Sequence, residues 1–236
     1  MTPRLPSPEE FADRLAATRA RIERASSTAQ PVRLVAVTKG FGEDAVRLAA
    51  AAGVEDFGEN YAGEMLGKLP VAPATRWHYL GAMQRNKIGR LAAHVYLWHS
   101  LDSQEAASAL AQRAPGARAL VQVALTSGGG RRGVAPEVVP PLVDMARRAG
   151  LDVRGLMAVG PPAAPPEDVR ADFARVAALA RSLGLAELSM GMSGDFELAV
   201  AEGATIVRLG RALFGERPLR RQRGEEASTT APTLGL

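Results

Sequence analysis

Short apolar runs alternate along the chain with longer stretches in which small apolar and charged residues recur at helical spacing. Several of these runs are almost continuously apolar, which is typical of parallel strands covered on both faces. The predicted strands are residues 32–38, 54–58, 76–81, 95–100, 118–125, 153–160, 187–190 and 205–210. Eight strands with helices between them, in about 250 residues, predict a single-domain α/β fold, the (β/α)₈ TIM barrel. A doubly wound open sheet shows a similar alternation and is the alternative fold.

The two ends of the chain depart from this alternation. Before the first strand, Ser7 is suited to the N-cap of an extra N-terminal helix, Pro8 to its first position, and Glu10 to the third position of a capping box. Near the C-terminus the apolar periodicity is lost. We therefore expect the barrel to occupy residues 1–217 and residues 218–236 to form a disordered tail.

Composition excludes several classes of function. The 236 residues carry a net charge of +4 and contain no cysteine, so disulfides, thiolate metal sites and cysteine nucleophiles are excluded. The three histidines, at positions 78, 94 and 99, do not have metal-ligand spacing, and no metal is expected. The sequence has no basic stripe interleaved with aromatic residues, so nucleic-acid binding is not expected. No apolar stretch is long enough for a membrane span or a signal peptide, so a cytoplasmic location is expected.

Lysine is scarce in this chain, which draws attention to the lysine that ends the first strand. Only Lys39, Lys68 and Lys87 are lysines among 29 basic residues, so arginine supplies positive charge elsewhere. Desolvation at the mouth of a barrel disfavours a charged amine, and a neutral amine can attack an aldehyde to form a Schiff base. Alternatively, Lys39 points into solvent or pairs with a carboxylate such as Glu59. Position alone leaves both interpretations open.

Polar or small residues follow most of the predicted strands, at the end where barrel enzymes place their sites. These candidates are Lys39, Asn60, His78, Gly81, Ser100, Thr126, Ser127, Met157, Ser193, Arg208 and Gly210. The loops after strands 7 and 8 of a barrel often bind phosphate, and Ser193 and Gly210 lie in those loops. A lysine facing such a site suggests a phosphorylated aldehyde. Arg208 should face inward and could pair with a ring nitrogen, or instead belong to a core ion pair.

Six segments make the chain similar to a known family. They are "LVAVTK", "FGENY", "WHYLGAMQRNK", "HSLDS", "GLMAVGP" and "LSMGMSGDFELAVAEGATIVRLGRALFG". Their sequences and order resemble those of the pyridoxal 5′-phosphate (PLP) homeostasis proteins, which are single-domain relatives of the alanine racemase barrel. The resemblance spans residues 32–215, and its last block is too long for chance similarity. It therefore implies a PLP-binding TIM barrel.

The resemblance also implies roles for individual residues. Lys39 matches the lysine that carries PLP as a Schiff base, and Arg208 matches the arginine that faces the pyridine nitrogen. Ser193, Gly210 and the backbone of Arg211 match the phosphate site. The expected cofactor-binding set is completed by Asn60, His78 and Met157. Arg211 stands where a threonine is usual, so a hydroxyl contact from that position to the phosphate is lost.

The expected function is intracellular PLP homeostasis, in which the protein holds the cofactor and hands it to PLP-dependent apoenzymes without turnover of its own. An arginine opposite the pyridine nitrogen leaves the ring a weak electron sink. Racemization also needs a second base, which in alanine racemases is a tyrosine from a partner's extra domain. The three tyrosines here lie in the first half of the chain, and a monomer without that domain is expected. The alternatives are a small PLP-dependent amino-acid racemase and a Schiff-base aldolase acting on a phosphosugar.

Overall fold

Eight parallel strands close into a barrel in the computed structural model, which describes residues 4–26, 30–125, 133–161 and 164–216. Each strand pairs with the next along the chain, and β8 returns to pair with β1. The strands are β1 Arg33–Val37, β2 Asp56–Glu59, β3 Arg76–Tyr79, β4 Val95–Leu101, β5 Arg118–Gln122, β6 Asp152–Met157, β7 Glu187–Ser189 and β8 Ile206–Leu209. The predicted TIM barrel is confirmed, and closure of the sheet rules out the open doubly wound alternative.

Helices surround the barrel and separate its strands. They are α1 Pro8–Ala25, α2 Glu43–Ala51, α3 Ala62–Lys68, α4 Arg85–Leu91, α5 Gln104–Arg113, α6 Val139–Arg148, α7 Pro166–Ser182, α8 Phe196–Ala201 and α9 Arg211–Phe214. Short 3₁₀ helices cover Leu69–Val71 and Pro136–Val138. In the described parts of the chain, no helix has the length and apolar character needed to cross a bilayer.

The extra N-terminal helix begins as its sequence predicts. The Ser7 hydroxyl accepts a hydrogen bond from the Glu10 N–H at 3.1 Å, and the Glu10 carboxylate accepts one from the Ser7 N–H at 2.7 Å. On its inner face, Phe11 is fully buried and packs against Phe214, with their ring centroids 5.3 Å apart. Because Phe214 ends α9, this contact ties the start of the chain to the helix that follows the last strand.

Two layers of apolar side chains form the core. The larger layer lies between the strands and the helices, and a smaller cluster fills the barrel interior with Val35, Leu97, Leu120, Met157 and Ile206. Since side chains alternate along a strand, residues two apart in sequence lie on the same face. The interior-facing residues of each strand therefore form a row that ends at the strand's carboxyl end. The expected tail lies outside the described residues.

Candidate functional site

A cavity of about 870 Å³ opens at the carboxyl ends of the barrel strands. Its lining includes most of the residues that the sequence singled out, namely Lys39, Asn60, Gly81, Ser100, Met157, Ser193, Arg208, Gly210 and Arg211. The chain therefore brings one lysine, one buried arginine and the loops after β7 and β8 to a single cavity. Two other candidates, Thr126 and Ser127, lie outside the described residues.

Lys39 lies two residues after the end of β1 and is half-buried at the cavity wall. The residues on either side of it are anchored to α3. The carbonyl oxygen of Thr38 accepts a hydrogen bond from Lys68 Nζ at 2.9 Å, and the N–H of Gly40 donates to Glu64 Oε2 at 2.8 Å. The backbone that carries Lys39 is thus fixed from both sides.

Glu59, the carboxylate considered as a partner for Lys39, makes other contacts. Its Oε1 accepts hydrogen bonds from Lys68 Nζ at 2.5 Å and from the Thr38 hydroxyl at 2.6 Å, and both Glu59 and Lys68 are buried. Burial raises the pKa of Glu59, and the ammonium of Lys68 opposes that shift. Sequence reasoning missed this role of Lys68, although the scarcity of lysine was a usable signal.

Arg208 lies on β8 with its guanidinium buried at the cavity. Nη1 donates to the carbonyl oxygen of Ser189 at 2.7 Å and to its hydroxyl at 2.6 Å, and Nη2 donates to the carbonyl oxygen of Ala158 at 2.9 Å. Burial lowers the pKa of Arg208 to about 10, while Asp195 acts in the opposite direction. These bonds use three of the five N–H donors of a guanidinium. Two donors therefore remain for a ligand, as far as the described chain shows.

The loops after β7 and β8 meet at Ser193 and Gly210. The Ser193 hydroxyl accepts a hydrogen bond from the N–H of Ala212 at 3.1 Å, which joins the two loops. Gly210 is the N-cap of α9, and the first N–H groups of a helix have no intrahelical acceptor. The side chain of Arg211 is 63% exposed and its Nη1 lies 3.7 Å from the Glu216 carboxylate. This corner offers a hydroxyl and backbone donors to an anion.

Asn60 lines the cavity and contains a buried polar atom. Its Oδ1 is inaccessible to solvent and has no hydrogen-bond donor within the described residues. Gly81 explains how Asn60 is accommodated, because a Cβ at position 81 would collide with the Asn60 carbonyl oxygen. Gln122, at the end of β5, also lines the cavity and was missed by sequence reasoning. A polar residue inside the apolar run 118–125 was the available signal.

The expectation that His78 lines the pocket is corrected by the structure. His78 is fully buried inside the barrel, where Nε2 lies 2.9 Å from Asp56 Oδ1 and Nδ1 lies 2.9 Å from His99 Nε2. It occupies the third position of the four-residue strand β3, below the strand's carboxyl end. Leu80, two residues further along the same face, lines the cavity instead.

None of the three tyrosines lines the cavity in the described structure. Tyr61 is 48% exposed, and Tyr79 is buried with its ring against Trp98. Tyr96 lies among arginines, with the Arg118 guanidinium 4.7 Å from its ring centroid. Likewise, the residues that the structure describes contain no group of three or more histidine or acidic side chains placed to hold a metal ion.

Comparison with known proteins agrees with this geometry. The sequence model of the family described as alanine racemase, N-terminal domain, matches residues 14–218. The pyridoxal phosphate homeostasis protein of Deinococcus radiodurans is 43% identical over 206 residues, covering 85% of this chain and 97% of that protein. The pyridoxal phosphate homeostasis protein of Pseudomonas aeruginosa is 40% identical over 224 residues, covering 88% of this chain and 96% of that protein.

A solved structure with bound cofactor is also similar. PipY of Synechococcus elongatus PCC7942 with PLP bound aligns with a TM-score of 0.77 at 34% identity, covering 87% of this chain and 100% of PipY. The family resemblance seen in the sequence motifs is thereby confirmed. The chain belongs to the pyridoxal phosphate homeostasis proteins, within the family defined by the N-terminal domain of alanine racemase.

Proposed function

We propose that this protein binds PLP in the cavity, holds it as a Schiff base on Lys39, and serves PLP homeostasis without turnover of amino acids. The observation that carries the proposal is that Lys39, Arg208 and the Ser193 corner line one cavity. The PLP-bound structure of PipY, at 34% identity, supports the same ligand.

The residues present fit each polar feature of PLP. Arg208 retains two N–H donors at the cavity, which suits the acceptor nitrogen of a pyridine ring. Asn60 lines the same cavity and carries an amide, a group that can hydrogen-bond a ligand hydroxyl. Ser193 and the backbone at Gly210 and Arg211 offer donors to a phosphate. Met157 completes the lining with an apolar side chain.

The chain's residues would act on the cofactor in distinct ways. PLP supplies an aldehyde, which condenses with a primary amine and releases water. Lys39 provides that amine, and its anchored backbone limits where Nζ can reach. Because Arg208 is a cation that can only donate, it holds the ring nitrogen unprotonated, which makes the ring a weak electron sink. This arrangement favours storage of the cofactor over carbanion chemistry.

A carrier role is favoured over racemization by the side chains around the cavity. Moving a proton between the two faces of a substrate carbon needs two bases. Lys39 could be one, and no tyrosine among the described lining residues offers a second. We infer that a monomer binds PLP and passes it to apoenzymes.

The proposal is tested by mixing the purified protein with PLP, recording the absorption spectrum, and reducing with borohydride. We expect a yellow complex and a phosphopyridoxyl group on the peptide that contains Lys39. The K39A variant should lose both signals, and the matched K87A variant should keep them. A wild-type protein that gives no absorption change with PLP would overturn the proposal and favour the aldolase.

The racemase is tested separately by incubating the PLP-loaded protein with amino acids in deuterated water. We expect no deuterium at the α-carbon of any amino acid tested. Incorporation that disappears in K39A would overturn the carrier role in favour of the racemase.

A further inference from the structure

A continuous chain of hydrogen bonds crosses the barrel interior and ends on Arg208. We call Asp56, His78, His99 and Ser189 the interior relay. Asp56 Oδ1 lies 2.9 Å from His78 Nε2, His78 Nδ1 lies 2.9 Å from His99 Nε2, and His99 Nδ1 lies 2.9 Å from Ser189 Oγ. Ser189 Oγ then lies 2.6 Å from Arg208 Nη1. The relay therefore joins strands β2, β3, β4, β7 and β8, and the link between β4 and β7 spans the interior.

The chemistry of the two ends fixes the direction of every hydrogen bond. The Asp56 carboxylate can only accept, so neutral His78 carries its proton on Nε2 and donates it to Asp56. Nδ1 of His78 is then an acceptor, so neutral His99 carries its proton on Nε2 and donates it to His78. Nδ1 of His99 is in turn an acceptor, so the Ser189 hydroxyl donates its hydrogen to His99 and accepts from the guanidinium of Arg208, which can only donate.

The surroundings keep the middle of the relay neutral and its far end charged. His99 is fully buried, and burial lowers the pKa of both histidines, strongly so for His99. Asp56 accepts two hydrogen bonds of 2.8 Å from Arg76. Although burial alone would raise the pKa of Asp56, hydrogen bonds from Arg76 and His78 lower it to about 2. A carboxylate anchored to Arg76 thus terminates the relay at the end of the barrel opposite the cavity.

We propose that the interior relay positions the Arg208 guanidinium and thereby sets its donation to the ring nitrogen of the cofactor. This inference rests on the proposed function. His99 holds the hydroxyl hydrogen of Ser189 away from Arg208, so that a lone pair of Ser189 always faces Nη1. Without that constraint the hydroxyl can rotate, and the guanidinium loses a fixed acceptor. The relay residues act through Arg208 and do not line the cavity.

The direction of the relay is tested first in the protein without cofactor. The chain contains three histidines, so long-range ¹H–¹⁵N correlation spectra resolve each imidazole, with H94Q for assignment. We expect both His78 and His99 as neutral Nε2–H tautomers at neutral pH. An Nδ1–H tautomer or an imidazolium at either position would overturn the relay, whatever the protein does with PLP.

The effect on the cofactor is tested with S189A and two ligands, PLP and 1-deazapyridoxal 5′-phosphate, in which a C–H replaces the ring nitrogen. We expect S189A to raise the Kd for PLP about tenfold. Its Kd for the deaza analogue should stay within about twofold of wild type, because that ring offers Arg208 no acceptor. S189T, which keeps the hydroxyl, should restore PLP affinity, and the exposed helix variant S182A should match wild type for both ligands.

Each other outcome has a definite meaning. Equal losses for the two ligands, or no loss for either, would overturn the positioning role. If wild type does not bind PLP, the proposed function fails, and with it the cofactor half of this inference. If S189A does not fold, the tautomers of the wild-type histidines still decide the relay.

Discussion

Lys68 Nζ lies 2.9 Å from the carbonyl oxygen of Thr38, the residue immediately before Lys39. The same ammonium lies 2.5 Å from Glu59 and 3.6 Å from Glu64, which itself accepts the N–H of Gly40. A compact ammonium with three donors suits these three oxygens better than the planar fork of arginine. A second lysine in this arginine-rich chain thus supports the backbone of the first.

Replacing Lys68 by methionine should strongly destabilise the fold. Removing one member of a buried ion pair leaves an uncompensated charge, which costs about 3–5 kcal/mol of unfolding free energy. Urea unfolding should show this loss for K68M, and K68M/E59Q should recover part of it. The matched variant K87M should stay within about 0.5 kcal/mol of wild type. A K68M protein as stable as K87M would contradict the proposed support.

The fold could be predicted from the sequence because its main signals are local. The apolar runs locate all eight strands, and the capping residues Ser7 and Glu10 locate the start of α1. Strand ends were less exact: the run 118–125 contains β5, which ends at Gln122. The run stays apolar beyond Gln122 because Val123 and Leu125 are buried in the core.

The site was predicted less completely because its contacts join distant parts of the chain. Position at a strand end correctly brought Lys39 and Arg208 to one cavity. The sequence prediction placed His78 in the cavity, whereas it lies one interior layer further from the carboxyl ends of the strands. How far a residue lies inside the barrel depends on where its strand ends. The bond between His99 and Ser189 joins residues 90 positions apart, and only closure of the barrel brings them together.

Adding a methyl group at Gly81 should perturb both stability and cofactor binding. A Cβ there would collide with the carbonyl oxygen of Asn60, so Asn60 must move. We expect G81A to lose about 2 kcal/mol or more of unfolding free energy and to bind PLP more weakly. G63A is the matched control, because nothing lies within 4 Å of a Cβ at that position in α3. A G81A protein that behaves like G63A in both assays would show that Asn60 is not held by this contact.

Ser193 should matter for the phosphate of the ligand and not for its ring. Its oxygen accepts the Ala212 N–H, which leaves the hydroxyl hydrogen available for an anion. A hydrogen bond to a charged group contributes about 1.5–3 kcal/mol, so S193A should raise the Kd for PLP by about tenfold or more. Titration with pyridoxal, which lacks the phosphate, should show no difference between S193A and wild type. An equal loss for both ligands would place the phosphate elsewhere.

Stability should fall with acidification in two stages, each assigned to relay residues. Burial lowers the pKa of His99 well below its ordinary 6.5, so the unfolded chain binds more protons there than the folded chain. Stability from His99 is therefore complete above about pH 6.5 and is lost as the pH falls below it.

Asp56 governs the second stage, because hydrogen bonds from Arg76 and His78 outweigh burial and lower its pKa from 3.8 to about 2. Its contribution of about 2 kcal/mol is complete above about pH 4 and disappears as the pH approaches 2. Urea unfolding between about pH 7.5 and pH 3 should show both decreases. H94Q should keep the first decrease, since His94 is exposed and is not part of the interior relay. A free energy of unfolding that stays constant between pH 7.5 and pH 5 would mean that the buried histidines are not held neutral.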